Sequence, residues 1–304
     1  MVAVLKRWWD SDVLWSWRHT PVAMIATVLL VVFLVAAFGA RWVAPHNPFD
    51  LASIELLDAL LPPAWEENGS SRYLLGTDSQ GRDLLSGIMY GTRVSLLIGL
   101  AAVALSMVVG IALGLLAGYA GGRTDAFIMR VADVQLSFPA ILIALLIDGV
   151  ARAAVPRELH EVIAFPVLVG AIALAGWPQY ARTVRGSTLV EKGREYVQAA
   201  RVIGVSSPVI MFRHVLPNVM GPVLVLATVH LATAIITEAT LSFLGVGVPS
   251  TSPSLGTLIR IGNDFLFSGE WWITIFPGVA LVLLVLSVNL LGDWLRDALN
   301  PRLS

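Results

Sequence analysis

Five mostly apolar stretches of this chain run for 20 residues or more without an aspartate, glutamate, lysine or arginine: 20–40, 94–122, 162–181, 215–237 and 271–292. About 20 residues of helix cover the hydrocarbon thickness of a bilayer, and backbone in lipid must satisfy its own hydrogen bonds. Each stretch therefore reads as a membrane-spanning helix. The composition agrees, because 57% of residues are hydrophobic and 13% charged. A water-facing globule carries roughly twice that charge density.

A sixth span is shorter. Residues 134–147 lack charge, and extending the run back to Phe127 brings it to full length with Arg130 and Asp133 in its first turns. Those two lie three residues apart on one helical face, close enough to the interface to pair or to reach water. Residues 239–259 are also uncharged, but are rich in Gly, Pro, Ser and Thr and read as a loop that protein or water must cover. The first run exceeds the 7–15 residues of a signal-peptide core, so it is read as a retained span. Under a six-span arrangement with both ends inside, the inside segments hold 13 Lys and Arg and the outside segments 7. That bias places both termini in the cytoplasm. Tryptophans 15, 17, 42, 177, 271, 272 and 294 fall at or near run ends, the headgroup level that amphipathic rings prefer.

Several chemistries are excluded. Neither Lys6 nor Lys192 follows a glycine, so a phosphate-cradling Gly-Lys pair is missing, and His160-Glu161 lacks the second histidine of a zincin. Without cysteine there are no disulfides, thiolate nucleophiles or Cys-ligated clusters. A net charge of −1 provides no field for nucleic acid. Only His230 is titratable near mid-span, where hydrogen bonding to a neighbouring helix is the ordinary role. Asp148 and Glu238 read as structural groups at span ends, where solvation is easy. An ion-coupled transporter acting alone needs paired ionisable groups at mid-membrane, which leaves that alternative poorly supplied.

The loop between the fourth and fifth runs, 182–214, is basic: Arg182, Arg185, Lys192, Arg194, Arg201 and Arg213 face Glu191 and Glu195. Within it residues 195–203 form a short helical pattern, followed by Gly204 as a residue able to take positive φ. Tyr196, Ala199, Ala200 and Ile203 recur on one side, with Glu195, Gln198 and Arg201 polar. Such a helix lies on the membrane surface or docks in a partner's groove, and the residues alone permit both.

Gln198-Ala199-Ala200 with Gly204 and then Leu216-Pro217 resembles the EAA loop of permease subunits in binding-protein-dependent ABC importers, with Gln198 where the family usually has Glu. Ahead of the second run, Gly76-Thr77-Asp78-Ser79-Gln80-Gly81-Arg82-Asp83 with Gly91 and Arg93 is similar to the signature of the C-type dipeptide and oligopeptide permeases. Asp125, Met129, Arg130, Asp133 and Pro139 fit the same pattern. The resemblance implies an all-α, six-span, type I importer core of the MetI-like kind in a bacterial cytoplasmic membrane. Residues 1–93 would form an N-terminal region with the first span and a periplasmic segment, and 94–304 the transport core. Glu195, Tyr196, Gln198, Ala199, Ala200, Arg201, Ile203 and Gly204 would make the contact with the ATPase. The implied partners are a second related permease chain, two ATP-binding subunits carrying Mg-ATP, a periplasmic or lipid-anchored binding protein, and membrane lipid. This chain itself would hold no cofactor or metal and catalyse nothing. Residues 83–91 are expected to form a short interfacial helix leading into the second span.

Overall fold

The structure is a computed structural model that describes residues 12–50 and 54–298, and those residues are helical with irregular connections. Besides single short turns, the helices of the described residues are α1 (Asp12–His19), α2 (Pro21–Phe38), α3 (Leu84–Ala120), α4 (Gly122–Leu136), α5 (Ala140–Ala154), α6 (His160–Glu191), α7 (Glu195–Val202), α8 (Leu216–Phe243), α9 (Leu255–Asn263) and α10 (Trp272–Ala298). Among the described residues, α2, α3, α6, α8 and α10 are individually long and apolar enough to span. The expected sixth span is instead two helices, α4 and α5, bent by 92° at the break between them. Pro139 sits at that break, where its ring and missing N–H forbid helix continuation.

Helix α3 runs unbroken through residue 93, where the two expected regions meet, so the separate interfacial helix over 83–91 is not formed. Asp83 is its N-cap and accepts a 3.0 Å hydrogen bond from the Ser86 N–H, and no proline follows to interrupt it. Its 37 residues extend over roughly 55 Å at 1.5 Å per residue, well beyond the hydrocarbon layer.

Among the described residues the most extensively packed helix pair is α3 with α6, and small residues explain it. Gly110, Gly114 and Gly118 repeat every four residues along one face of α3. A Cβ on Gly114 would lie 2.5 Å from the Ala181 carbonyl oxygen, and one on Gly118 2.7 Å from the Thr188 Cβ. Helices in lipid gain little from hydrophobic exclusion, so close backbone approach and dispersion hold them together. One turn further along, Gly176 of α6 leaves room for the His230 ring, which is hydrogen-bonded to the Tyr180 hydroxyl at 3.1 Å. That is the neighbouring-helix role expected for His230.

The bundle has two distinct ends. At one, α3 begins, α8 finishes and the Trp272 indole N–H donates to the Thr77 carbonyl at 3.2 Å. At the other, α3 and α6 finish, α7 projects, and α1 and the end of α10 lie close together, with Trp17 and Trp294 lining one hollow. Helix α2 is peripheral, burying only Ala23, Ala26 and Ala37.

Two further expectations need correction. The stretch 239–259 is not all loop: α8 continues to Phe243, and α9 starts at Leu255, its first turn capped by the Ser254 hydroxyl accepting from the Thr257 N–H. Glu238 is not at a solvated end but fully buried, accepting hydrogen bonds of 2.7 Å from both Ser95 and Ser242. Ser95 Oγ also receives the Leu255 N–H at 3.3 Å, so this carboxyl group joins α3, α8 and α9. Asp148 is likewise buried, ion-paired to Arg152 at 2.7 Å.

The glycine face yields a direct test. Gly114→Leu should overpack the α3–α6 contact by more than the usual 1–3 kcal/mol, because backbone and not a side-chain tip stands in the way. Gly170→Ala, with open space around its Cβ position, should be tolerated. Membrane abundance and thermal stability of the solubilised chain would show it; equal behaviour of the two variants would refute the close-packing account.

Candidate functional site

Helix α7 is set on the bundle by three anchors. Lys192 Nζ, just before it, donates to the Gly118 carbonyl at the end of α3 at 2.8 Å. The Arg201 guanidinium lies over the Tyr119 ring at 5.2 Å, a cation–π contact to the same end. The Tyr196 hydroxyl donates to Glu191 at 2.7 Å and accepts from Asn218 Nδ2 at 3.1 Å, while Asn218 also donates to the His214 carbonyl at 2.7 Å. Tyr196 therefore bridges the last turn of α6 to the first turn of α8. Burial, then the hydrogen bond to Glu191, pushes its phenol pKa up, so it stays a donor.

The turn that ends α7 is a Schellman motif. Gly204 takes φ +82°, its N–H donates to the Arg201 carbonyl at 3.0 Å, and the Val205 N–H donates to the Ala200 carbonyl at 3.0 Å. The chain then enters a short π-helix, Ile210–Val215, before α8. Pro217, near the start of α8, has no N–H to return to the preceding turn, and the wider winding accommodates that defect.

The helix faces differ from the sequence expectation in one respect. Val197 and Ala200 turn inward and are buried against Ile210 and Val215, so Ala200 does not share the outer face. Val197, which the sequence reading passed over, carries the inward packing. The uncovered surface consists of Glu195, Gln198, Ala199, Arg201, Val202, Ile203 and Gly204, with Tyr196 partly shielded. Val202 and Ile203 are 87% and 77% exposed. Two adjacent aliphatic side chains on a protruding turn, beside Ala199, form an apolar tip within a polar rim. The Gln198 amide donates to the Lys192 carbonyl at 3.3 Å.

Arg182 and Arg185, counted with the basic loop, belong to α6. Arg182 pairs with Asp133, and Arg185 holds Asp125 in a two-pronged contact, one arm at 2.7 Å. These pairs bind α4 to α6 and give the Asp125…Asp133 spacing a structural purpose.

The upstream motif sits at the opposite end. Gly76 and Gly81 take φ of +81° and +75°. Asp78 is buried and accepts from Arg82 Nε at 2.7 Å and from the Arg82 and Gln80 N–H groups at 3.0 and 2.8 Å. Arg82, also buried, reaches the Ser250 carbonyl at 3.3 Å, and Thr77 Oγ1 donates to the Asp58 carbonyl at 2.6 Å. Together with the Asp83 cap, residues 76–83 are a clasp that ties segment 54–83 to α3, α10 and the α8–α9 connection.

The described residues form a multi-span helical bundle with a small projecting helix at one end and a built-in clasp at the other, the architecture of a membrane permease subunit. Residues 110–304 match the family model described as binding-protein-dependent transport system inner membrane component, and residues 7–63 that of the N-terminal TM domain of oligopeptide transport permease C. The chain belongs to this family of ABC-importer permease subunits. It is 40% identical over 300 residues to the di/tripeptide transport system permease protein DppC of Pseudomonas aeruginosa, covering 98% of this chain and 92% of that one. It is 43% identical over 286 residues to the dipeptide transport system permease protein DppC of Escherichia coli K12, covering 92% and 89%. Among solved structures, an inward-facing MetNI methionine ABC transporter chain superposes with TM-score 0.55 at 19% identity, over 70% of this chain and 96% of that one, which establishes the MetI-like fold.

Removing the Tyr196 hydroxyl isolates the anchoring of α7. Tyr196→Phe loses a hydrogen bond to a carboxylate, worth about 1.5–3 kcal/mol. Amide exchange over 195–204 should accelerate by roughly 10- to 100-fold, with protection in α3 and α6 unchanged. Unchanged exchange in α7 would mean that the backbone turn alone holds it.

Proposed function

We propose that this chain and a second related permease chain together line a pathway that imports di- and oligopeptides across the cytoplasmic membrane, driven by two separate ATP-binding subunits and fed by a periplasmic or lipid-anchored binding protein. The peptide assignment rests on the relatives, whose near-full-length identity of 40% and 43% belongs to permeases named for dipeptides and tripeptides. The coupling assignment rests on one observation: α7 stands outside the bundle, fastened to the ends of α3, α6 and α8, with Ala199, Val202 and Ile203 uncovered. A cleft on an ATPase subunit that closes over this tip would pull on three spans together.

The orientation follows from charge. The basic end of the bundle carries α7, α1 and the end of α10, in keeping with the 13-to-7 Lys and Arg bias. The clasp of residues 76–83 then lies outside, where it braces the outer mouth. A cysteine at Ser207 should react with a membrane-impermeant thiol reagent only after lysis, and one at Ser71 in intact spheroplasts. Reaction of both from outside would defeat this topology.

Coupling has its own test. Ala199 is exposed in this chain, so Ala199→Trp should leave folding intact yet overpack an ATPase cleft by about 1–3 kcal/mol. Gly204→Val should strain the turn, since a β-branched residue resists φ of +82°. Both variants should reach the membrane at normal abundance and lose most of the ATP hydrolysis stimulated by loaded binding protein in the reconstituted complex. Full stimulation in both would reduce α7 to a membrane-surface element.

A further inference from the structure

A cleft of about 230 Å³ opens at the clasp end of the bundle, between the end of α5, the start of α6 and the connection from α8 to α9. Arg152, His160, Glu161 and Arg260 surround it, over a floor formed by Gly247 and Val248. The clasp does not use it, and neither does the coupling helix.

Its charges are arranged unevenly. Arg152 is held by the buried Asp148 at 2.7 Å, and His160 Nε2 lies 2.9 Å from the Val155 carbonyl, so that wall is fixed. Arg260, in the last turn of α9, is exposed and makes no hydrogen bond or ion pair with the described residues. Its side chain lies across from Gly245, whose φ of +85° carries the chain around the rim. Glu161, on the first turn of α6, is exposed on the other side. An unpaired guanidinium thus faces a recess that also presents a carboxylate, a pattern complementary to a small zwitterion. A guanidinium binds a carboxylate through two parallel N–H donors, which gives direction as well as attraction. The volume is below that of a pocket enclosing a drug-sized molecule, so it admits one end of a short chain.

We propose that this cleft is a receiving subsite for the terminus of a short peptide entering the permease, with Arg260 taking the terminal carboxylate and Glu161 available to an ammonium. The proposal rests on the reading of peptide cargo and of this end as the outer one. A flat protein-docking surface would present its charges proud of the surface; here the floor residues Gly247 and Val248 are buried, which favours a small ligand over the body of the binding protein.

The test uses the complete transporter in liposomes, with saturating peptide-loaded binding protein, and measures peptide taken up per ATP hydrolysed. Arg260 is exposed and unpaired, so R260Q should assemble normally. It should carry about tenfold fewer peptides per ATP, the scale of one lost charge-assisted hydrogen bond, and R260K, which keeps the charge but not the paired donors, should recover only part of the loss. Uptake per ATP unchanged in R260Q overturns the proposal. So does a parallel fall in stimulated ATP hydrolysis and uptake, which would assign Arg260 to contact with the binding protein. Absence of peptide uptake in the unaltered transporter would instead remove the cargo reading beneath it, and so is told apart from failure of the subsite.

Discussion

The structure depends above all on the direct backbone contact between α3 and α6. In lipid, two apolar helices gain nothing from excluding water, so only intimate packing separates a specific pair from a loose one. The glycines at 110, 114 and 118 provide that intimacy against Ala181, Val184 and Thr188. The other elements are arranged around this pair. Helix α4 is pinned to α6 by Asp125 and Asp133, α7 is hung from the ends of both long helices, and α8 reaches them through His230 and Glu238.

Polar groups inside the bundle act as joints. Glu238 is the clearest case, since its serine partners come from α3 and α8 and the first of them also receives a backbone N–H of α9. A buried carboxyl is costly unless hydrogen-bonded, and here both of its oxygens have a partner. The Asp78–Arg82 pair does similar work in the clasp, tying the turn of residues 78–82 to the Ser250 carbonyl. Such joints define which pieces move together.

The spans could be read from the sequence because a mostly apolar run of 20 residues without charge has one physical solution in a bilayer. Helix α7 was equally visible, since Gly204 marks its end and its basic surroundings keep it out of lipid. What the sequence concealed were relations between distant residues. The charge-free run ending at Thr237 put Glu238 at a margin, and only the packing of Ser95 and α9 around it makes it interior. Helix α9 was hidden by its own glycines and by the serines and prolines just ahead of it, which favour turns in isolation, although here the first of those glycines, Gly256, lets the helix lie against Ala239. The inward turn of Ala200 depended on Val197 and the π-helix, and no local spacing rule predicts that winding. The sharp bend at Pro139 was discernible only as a proline, without its angle.

The length of α3 carries a mechanical consequence. A helix of roughly 55 Å, stiffened by a partner packed against its backbone, behaves as a beam longer than the layer it crosses. If such a beam tilts by about 5° around its middle, each tip travels about 2.4 Å, in opposite directions. The Gly118 carbonyl, held by Lys192, is near one tip, and the Asp83 cap is at the other. In such a tilt, a small displacement of α7 at one end would reappear at the other with equal size and opposite sense.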